Sequence, residues 1–88
     1  MNASNSKTTQ VQLKFIKHTS RLRGFILALL PDFTMAEDVL QEVFLVVTRK
    51  AEQYEGGTNF FAWICEIARR KVLEYRRREK KAAGVMLS

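Results

Sequence analysis

Apolar residues recur at helical spacing through the first third of the chain. Val11, Phe15, Leu22, Phe25, Ile26 and Leu29 follow one another at spacings of three, four and seven, so a helix over about 10–30 gathers them on one side. Pro31 lacks an amide hydrogen and ends that helix. Residues 1–9 are polar, carry no such period and read as a loose arm.

A second start follows. Thr34 with Glu37 three residues on has the form of a capping box, in which hydroxyl and carboxylate each satisfy a backbone donor, and predicts a helix from Met35 to about Lys50. Projected at about 100° per residue, Ala36, Val39, Leu40, Val43 and Val47 form one stripe of it, while Asp38, Gln41, Glu42, Leu45 and Arg49 fall opposite. The acidic face thus carries a leucine at its centre.

Residues 51–59, with Gly56 and Gly57 adjacent, give the strongest loop signal, and Thr58 or Asn59 can cap a third helix from Phe60 to about Lys81. Phe61, Ile64, Ala68, Val72 and Tyr75 share its core side; Trp63, Glu66, Arg70 and Arg77 line another. Without repeats or strand alternation, the pattern predicts an all-α fold, a small bundle of three to four helices. Residues 10–82 form the helical domain, and 83–88 a tail or the start of a linker.

Composition narrows this little. A chain of 88 residues makes one small domain, and one of that size buries only about 60% of its unfolded surface. Cys65 is the single cysteine, which excludes an internal disulfide and zinc-type cysteine pairs and suits a reducing cytoplasm. It sits among Ile64, Ile67 and Ala68, where a thiol behaves as a small hydrophobe. The apolar run Phe25–Leu30 is too short to span a membrane. No cofactor or metal set is evident.

Charge changes the picture more. The net charge is +6, but unevenly distributed. Every charged residue before Pro31 is basic, residues 31–48 carry only acids, and Arg76, Arg77, Arg78, Lys80 and Lys81 crowd the end. Such segregation suggests two partners of opposite charge, against the blander reading of solvated helix faces. Cations on one helical face with Trp63 among them suit nucleic acid, because they neutralise phosphate while an aromatic ring stacks on bases.

Catalysis has little to work with. His18 is the only histidine, has no nucleophile assembled round it, and reads as a surface or packing residue. Adjacent Glu37 and Asp38 diverge by about 100° on a helix and cannot form a facing acid and base.

The stretches Ala36-Glu-Asp-Val-Leu-Gln-Glu-Val-Phe44 and Phe60-Phe-Ala-Trp-Ile-Cys-Glu-Ile-Ala-Arg-Arg70, separated by a glycine-containing loop, resemble region two of the extracytoplasmic-function sigma factors over about residues 12–81. The resemblance implies a non-enzymatic role in transcription initiation. It makes Asp38, Gln41, Glu42 and Leu45 the face that docks on the clamp helices of the beta-prime subunit of core RNA polymerase. It makes the loop ending at Asn59 the element that captures a base flipped from the promoter minus-ten element, with Tyr54 as the stacking ring. It lays the third helix along the non-template strand, with Arg69, Arg70, Lys71, Arg76 and Arg77 on phosphates and Trp63 either at the duplex edge or in the core. An anti-sigma factor is a further partner it brings; a membrane is not.

Two departures stand out. Arg70 occupies the place where the family usually has Asn, which unsettles the base contact that Asn would make. The chain also ends at Ser88, before any second DNA-binding domain, so weak promoter binding is expected. Two other functions remain open: a helical interaction regulator that touches no DNA, and a basic amphipathic helix lying on anionic membrane.

Overall fold

The computed structural model describes residues 6–87, the side chains of 83–87 excepted. Four α-helices run in order: α1 (Lys7–Lys17), α2 (Thr19–Leu29), α3 (Phe33–Arg49) and α4 (Phe60–Leu87), with one 3-10 turn at Ala51–Gln53. The all-α expectation holds, and three boundaries move.

The helix expected over 10–30 is two helices. Ser6 starts α1 by accepting from the Thr9 amide at 3.1 Å, three residues upstream of the expected entry. The break falls at His18, whose ring nitrogen Nδ1 lies 2.8 Å from the Lys14 carbonyl while the Thr19 hydroxyl donates to the Phe15 carbonyl at 3.1 Å. Side chains thus take over carbonyls that a continuous ladder would use. The apolar spacing survives because the seven-residue step from Phe15 to Leu22 straddles the break, and both are buried.

The capping box at Thr34 does not form. Asp32 is the cap of α3, its Oδ1 accepting from the Met35 amide at 2.9 Å. Glu37 is thereby released to pair with Arg23 of α2. Of the two caps open to the last helix, Asn59 acts, accepting from the Ala62 amide at 3.0 Å, while the Thr58 hydroxyl donates to the Glu55 carbonyl at 2.8 Å. Gly57 turns the loop at φ 94°, a backbone region that side chains disfavour. The last helix continues past the expected end at Lys81 to Leu87.

The core lies where α2, α3 and α4 meet. Leu22, Ile26, Val39, Val43, Val47 and Ile64 are essentially sealed, and the whole expected stripe of α3 is buried together with Val46. On α4 the core side is rotated from the one expected. Phe60 and Ile67 are buried, whereas Phe61 and Tyr75 are half-buried at its margin. The reason is aromatic: Phe60 packs edge-on to Tyr54 with centroids 5.2 Å apart, and Phe61 is covered by the Arg21 guanidinium at 3.9 Å.

Among the described residues no polar or charged side chain is buried, so the cross-helix polar ties are peripheral. Gln12 donates to the Thr48 hydroxyl at 3.1 Å, joining α1 to α3. The Arg23–Glu37 pair joins α2 to α3 with both side chains about a third exposed, where solvent screens it and keeps its contribution small. No helix among the described residues is long and apolar enough to cross a membrane.

Candidate polymerase-docking and nucleic-acid surfaces

The outer face of α3 is as the spacing placed it. Asp38 and Gln41 are exposed, and Leu45 stands 56% open to solvent. Glu42 is different, because it turns toward α4. Its Oε2 lies 3.5 Å from the Arg78 guanidinium and its Oε1 3.9 Å from the Lys71 ammonium. Beside this face α1 and α3 leave a shallow, almost wholly apolar depression of about 360 Å³, lined by Phe15, Thr19, Leu40, Gln41, Phe44 and Leu45. The sequence reading missed Phe44 and Thr19, because the depression exists only once Phe15 and Phe44 meet, centroids 5.2 Å apart.

The residues expected on nucleic acid divide into three groups. Trp63, Arg70 and Lys71 come together in a groove of about 420 Å³ between α4 and the end of α3, joined by Arg49, Lys50, Gln53, Glu66 and Glu74. Arg69 stands beside this groove, held with Arg70 by a shared carboxylate: Glu66 Oε2 lies 2.7 Å from Arg69 Nη2 and 3.1 Å from Arg70 Nε. Donation from Arg69 above all, and then from Arg70, holds the Glu66 carboxyl below its ordinary range and raises Arg69 in turn. The spacing placed Arg49 on the outer face of α3 with Asp38 and Leu45, and Lys50 only at the end of that helix. Helix packing alone brings them opposite Trp63.

Arg77 belongs to a second, more open patch further along α4, with Glu74, Arg78, Lys80 and Lys81. Asn59 lies one turn before Trp63, with its side-chain oxygen committed to the cap.

Two of the expected side chains are engaged within the domain. Arg76 is exposed, and its guanidinium donates to the Leu29 carbonyl at the C-terminal end of α2. Tyr54 does not present a stacking ring. It is only 4% exposed, lies 4.9 Å from Trp63 and 5.2 Å from Phe60 between centroids, and donates its hydroxyl to the Thr58 carbonyl at 2.9 Å. The ring builds the loop from inside, and the exposed segment is residues 55–59. Trp63, left between core and surface, does both: it is half-buried against Tyr54 and Phe60 and lines the groove.

His18 packs against Phe60 and Phe61, centroids 5.4 and 5.8 Å away, as a packing residue. Burial pushes the Cys65 thiol up, and the nearby Arg21 partly offsets this. Among the described residues no group of three or more His, Cys, Asp or Glu is placed to hold a metal.

A leucine stands among acids on the outer face of one helix, and Trp63 lines a groove with both cations and carboxylates on the next. The chain belongs to the sigma-70 region 2 family, whose model matches residues 15–82. It is similar to the RNA polymerase sigma factor CarQ of Myxococcus xanthus, 41% identical over 54 residues, a stretch that is 61% of this chain and 31% of that protein. The match therefore covers less than a third of that relative's length. No solved structure matches the chain. Sigma factors serve transcription initiation, and theirs is not a family of enzymes.

Proposed function

We propose that this domain couples core RNA polymerase to promoter DNA in the cytoplasm, docking through α3 on the beta-prime clamp helices and holding the non-template strand of the melted minus-ten element along α4. One observation carries this reading: Asp38, Gln41 and Leu45 stand exposed on α3, while Arg70 and Arg77 stand exposed on α4, so the two chemistries occupy different helices. A leucine among acids suits a basic helical partner, which it anchors by apolar contact while charge sets the register. An anti-sigma factor covering the same face would compete with polymerase.

On α4, Arg69, Arg70, Lys71 and Arg77 supply the positive charge that tracks a phosphate backbone, and the exposed loop at 55–59 stands at the entrance of that helix. Extruding a base from a duplex costs a few kcal/mol, which contacts on this surface must offset. Titration with single-stranded minus-ten oligonucleotides at several salt concentrations tests this. Affinity is expected to fall linearly with salt on logarithmic axes, and Arg77→Ala to lower the slope by about 1. No binding favours the alternative of a helical regulator that touches no DNA, and binding indifferent to salt removes the phosphate contacts assigned to α4.

A further inference from the structure

The groove between α4 and the end of α3 is more selective than a strip of positive charge. Trp63 lines it with its ring fixed from behind by Tyr54 and Phe60, at 4.9 and 5.8 Å between centroids. Arg70 enters from α4 with a side chain 68% exposed and its Nε anchored on Glu66 at 3.1 Å. A guanidinium held at Nε offers its two terminal nitrogens as a parallel pair of donors. Glu66 and Glu74 also line the groove, paired with Arg69, Arg70 and Lys71, so part of its positive charge is already matched from within. Arg49 and Lys50, contributed by the end of α3, suit a phosphate at the rim.

A neutral, flat ligand with two adjacent acceptors meets all of these demands. Guanine presents O6 and N7 side by side, the pair that a guanidinium fork matches. On that edge adenine sets a donor amino group beside N7, cytosine presents an amino donor, and thymine a single acceptor next to a methyl group; cytosine has adjacent acceptors, N3 and O2, only on its pairing edge. The indole supplies the stacking face.

We infer that this groove is a site for an unpaired guanine base. The base stacks on Trp63 and is read by Arg70, with Glu66 as the positioning residue and Arg49 and Lys50 meeting the attached phosphate. The inference rests on the proposal that α4 binds single-stranded nucleic acid, and it gives that surface a base preference. A free guanine nucleotide carries the same chemistry, so the two sources are separated by experiment.

Trp63 is the only tryptophan, and its fluorescence reports on the groove directly. The full chain is titrated with an all-thymidine oligonucleotide, with the same oligonucleotide carrying one central guanine, and with guanosine monophosphate. The guanine oligonucleotide is expected to quench Trp63 and to bind about five- to tenfold more tightly than the all-thymidine one. Arg70→Lys keeps the charge and lacks the fork, so its two oligonucleotides are expected to bind alike. Glu66→Gln should shrink the guanine gain. Both side chains are surface groups, and circular dichroism checks that the variants fold. No guanine gain in the unmodified chain, or an undiminished gain in Arg70→Lys, overturns the inference while leaving strand binding intact. If neither oligonucleotide binds, strand binding is what fails, and the mononucleotide decides: quenching that Arg70→Lys abolishes keeps the guanine site with a free nucleotide as ligand, and no quenching removes it.

Discussion

The outer faces of α3 and α4 obey the same helical geometry, yet only α3 leaves most of its side chains where spacing put them. Asp38, Gln41 and Leu45 are exposed as projected. On α4 the cations reach away: Arg76 to the Leu29 carbonyl, Lys71 to Glu42 and Glu74, Arg69 and Arg70 to Glu66. Short side chains stay over their own turn, whereas arginine and lysine stems reach acceptors a turn away on the same helix, as at Glu66 and Glu74, or on another element, as at Leu29 and Glu42. A projection therefore locates a leucine among acids well and overstates how many cations face a partner.

The contrast can be broken at several points. Ile64→Ala, on the inner side of α4, should produce the largest effect, a loss of about 2–5 kcal/mol in denaturant unfolding, because a fully buried aliphatic group is removed from the seam of three helices. An unchanged midpoint would show that α4 is not anchored as described.

Arg76→Ala and Arg77→Ala, one residue apart, should part company. The first removes a contact to the end of α2 and should lower the melting temperature slightly, while the second should leave thermal unfolding unchanged and weaken oligonucleotide binding. Equal melting losses would mean that Arg76 is as free as its neighbour.

The smallest effect is one of pH. Glu66 has its folded-state carboxyl held below the ordinary value of 4.5 by Arg69 first and Arg70 second, so its contribution is fully present above that value and is lost only as pH falls through the lowered one. A carboxyl titration by nuclear magnetic resonance should give a midpoint below 4.5 for Glu66, and a midpoint at or above it would mean the shared pairing is not maintained in solution.

How much was legible follows the same physical division. The buried stripe of α3 was readable because five apolar positions at helical spacing leave one packing solution. The break at His18 was not, because it preserves the phase of the apolar pattern and depends on hydrogen bonds from His18 and Thr19 to the preceding turn. The start of α3 was misplaced because Asp32 and Thr34 are both good caps, and Arg23, far off in sequence, draws Glu37 into a cross-helix pair. Tyr54 looked like a surface ring because it lies in a glycine-rich loop. Its burial is decided by Phe60 and Trp63, one turn into the next helix, and by the turn that brings the Thr58 carbonyl to its hydroxyl. The groove opposite Trp63 was not visible in advance because half of it comes from the end of α3.

The separation of a docking face on α3 from a strand-binding face on α4 is tested most directly by measuring affinity for isolated beta-prime clamp helices with the unmodified chain, Asp38→Lys and Arg77→Ala side by side. Asp38→Lys should bind about tenfold more weakly, since it sets like charge against a basic partner, and Arg77→Ala should bind as the unmodified chain does. Undiminished binding by Asp38→Lys, or a comparable loss in both variants, would contradict the separation.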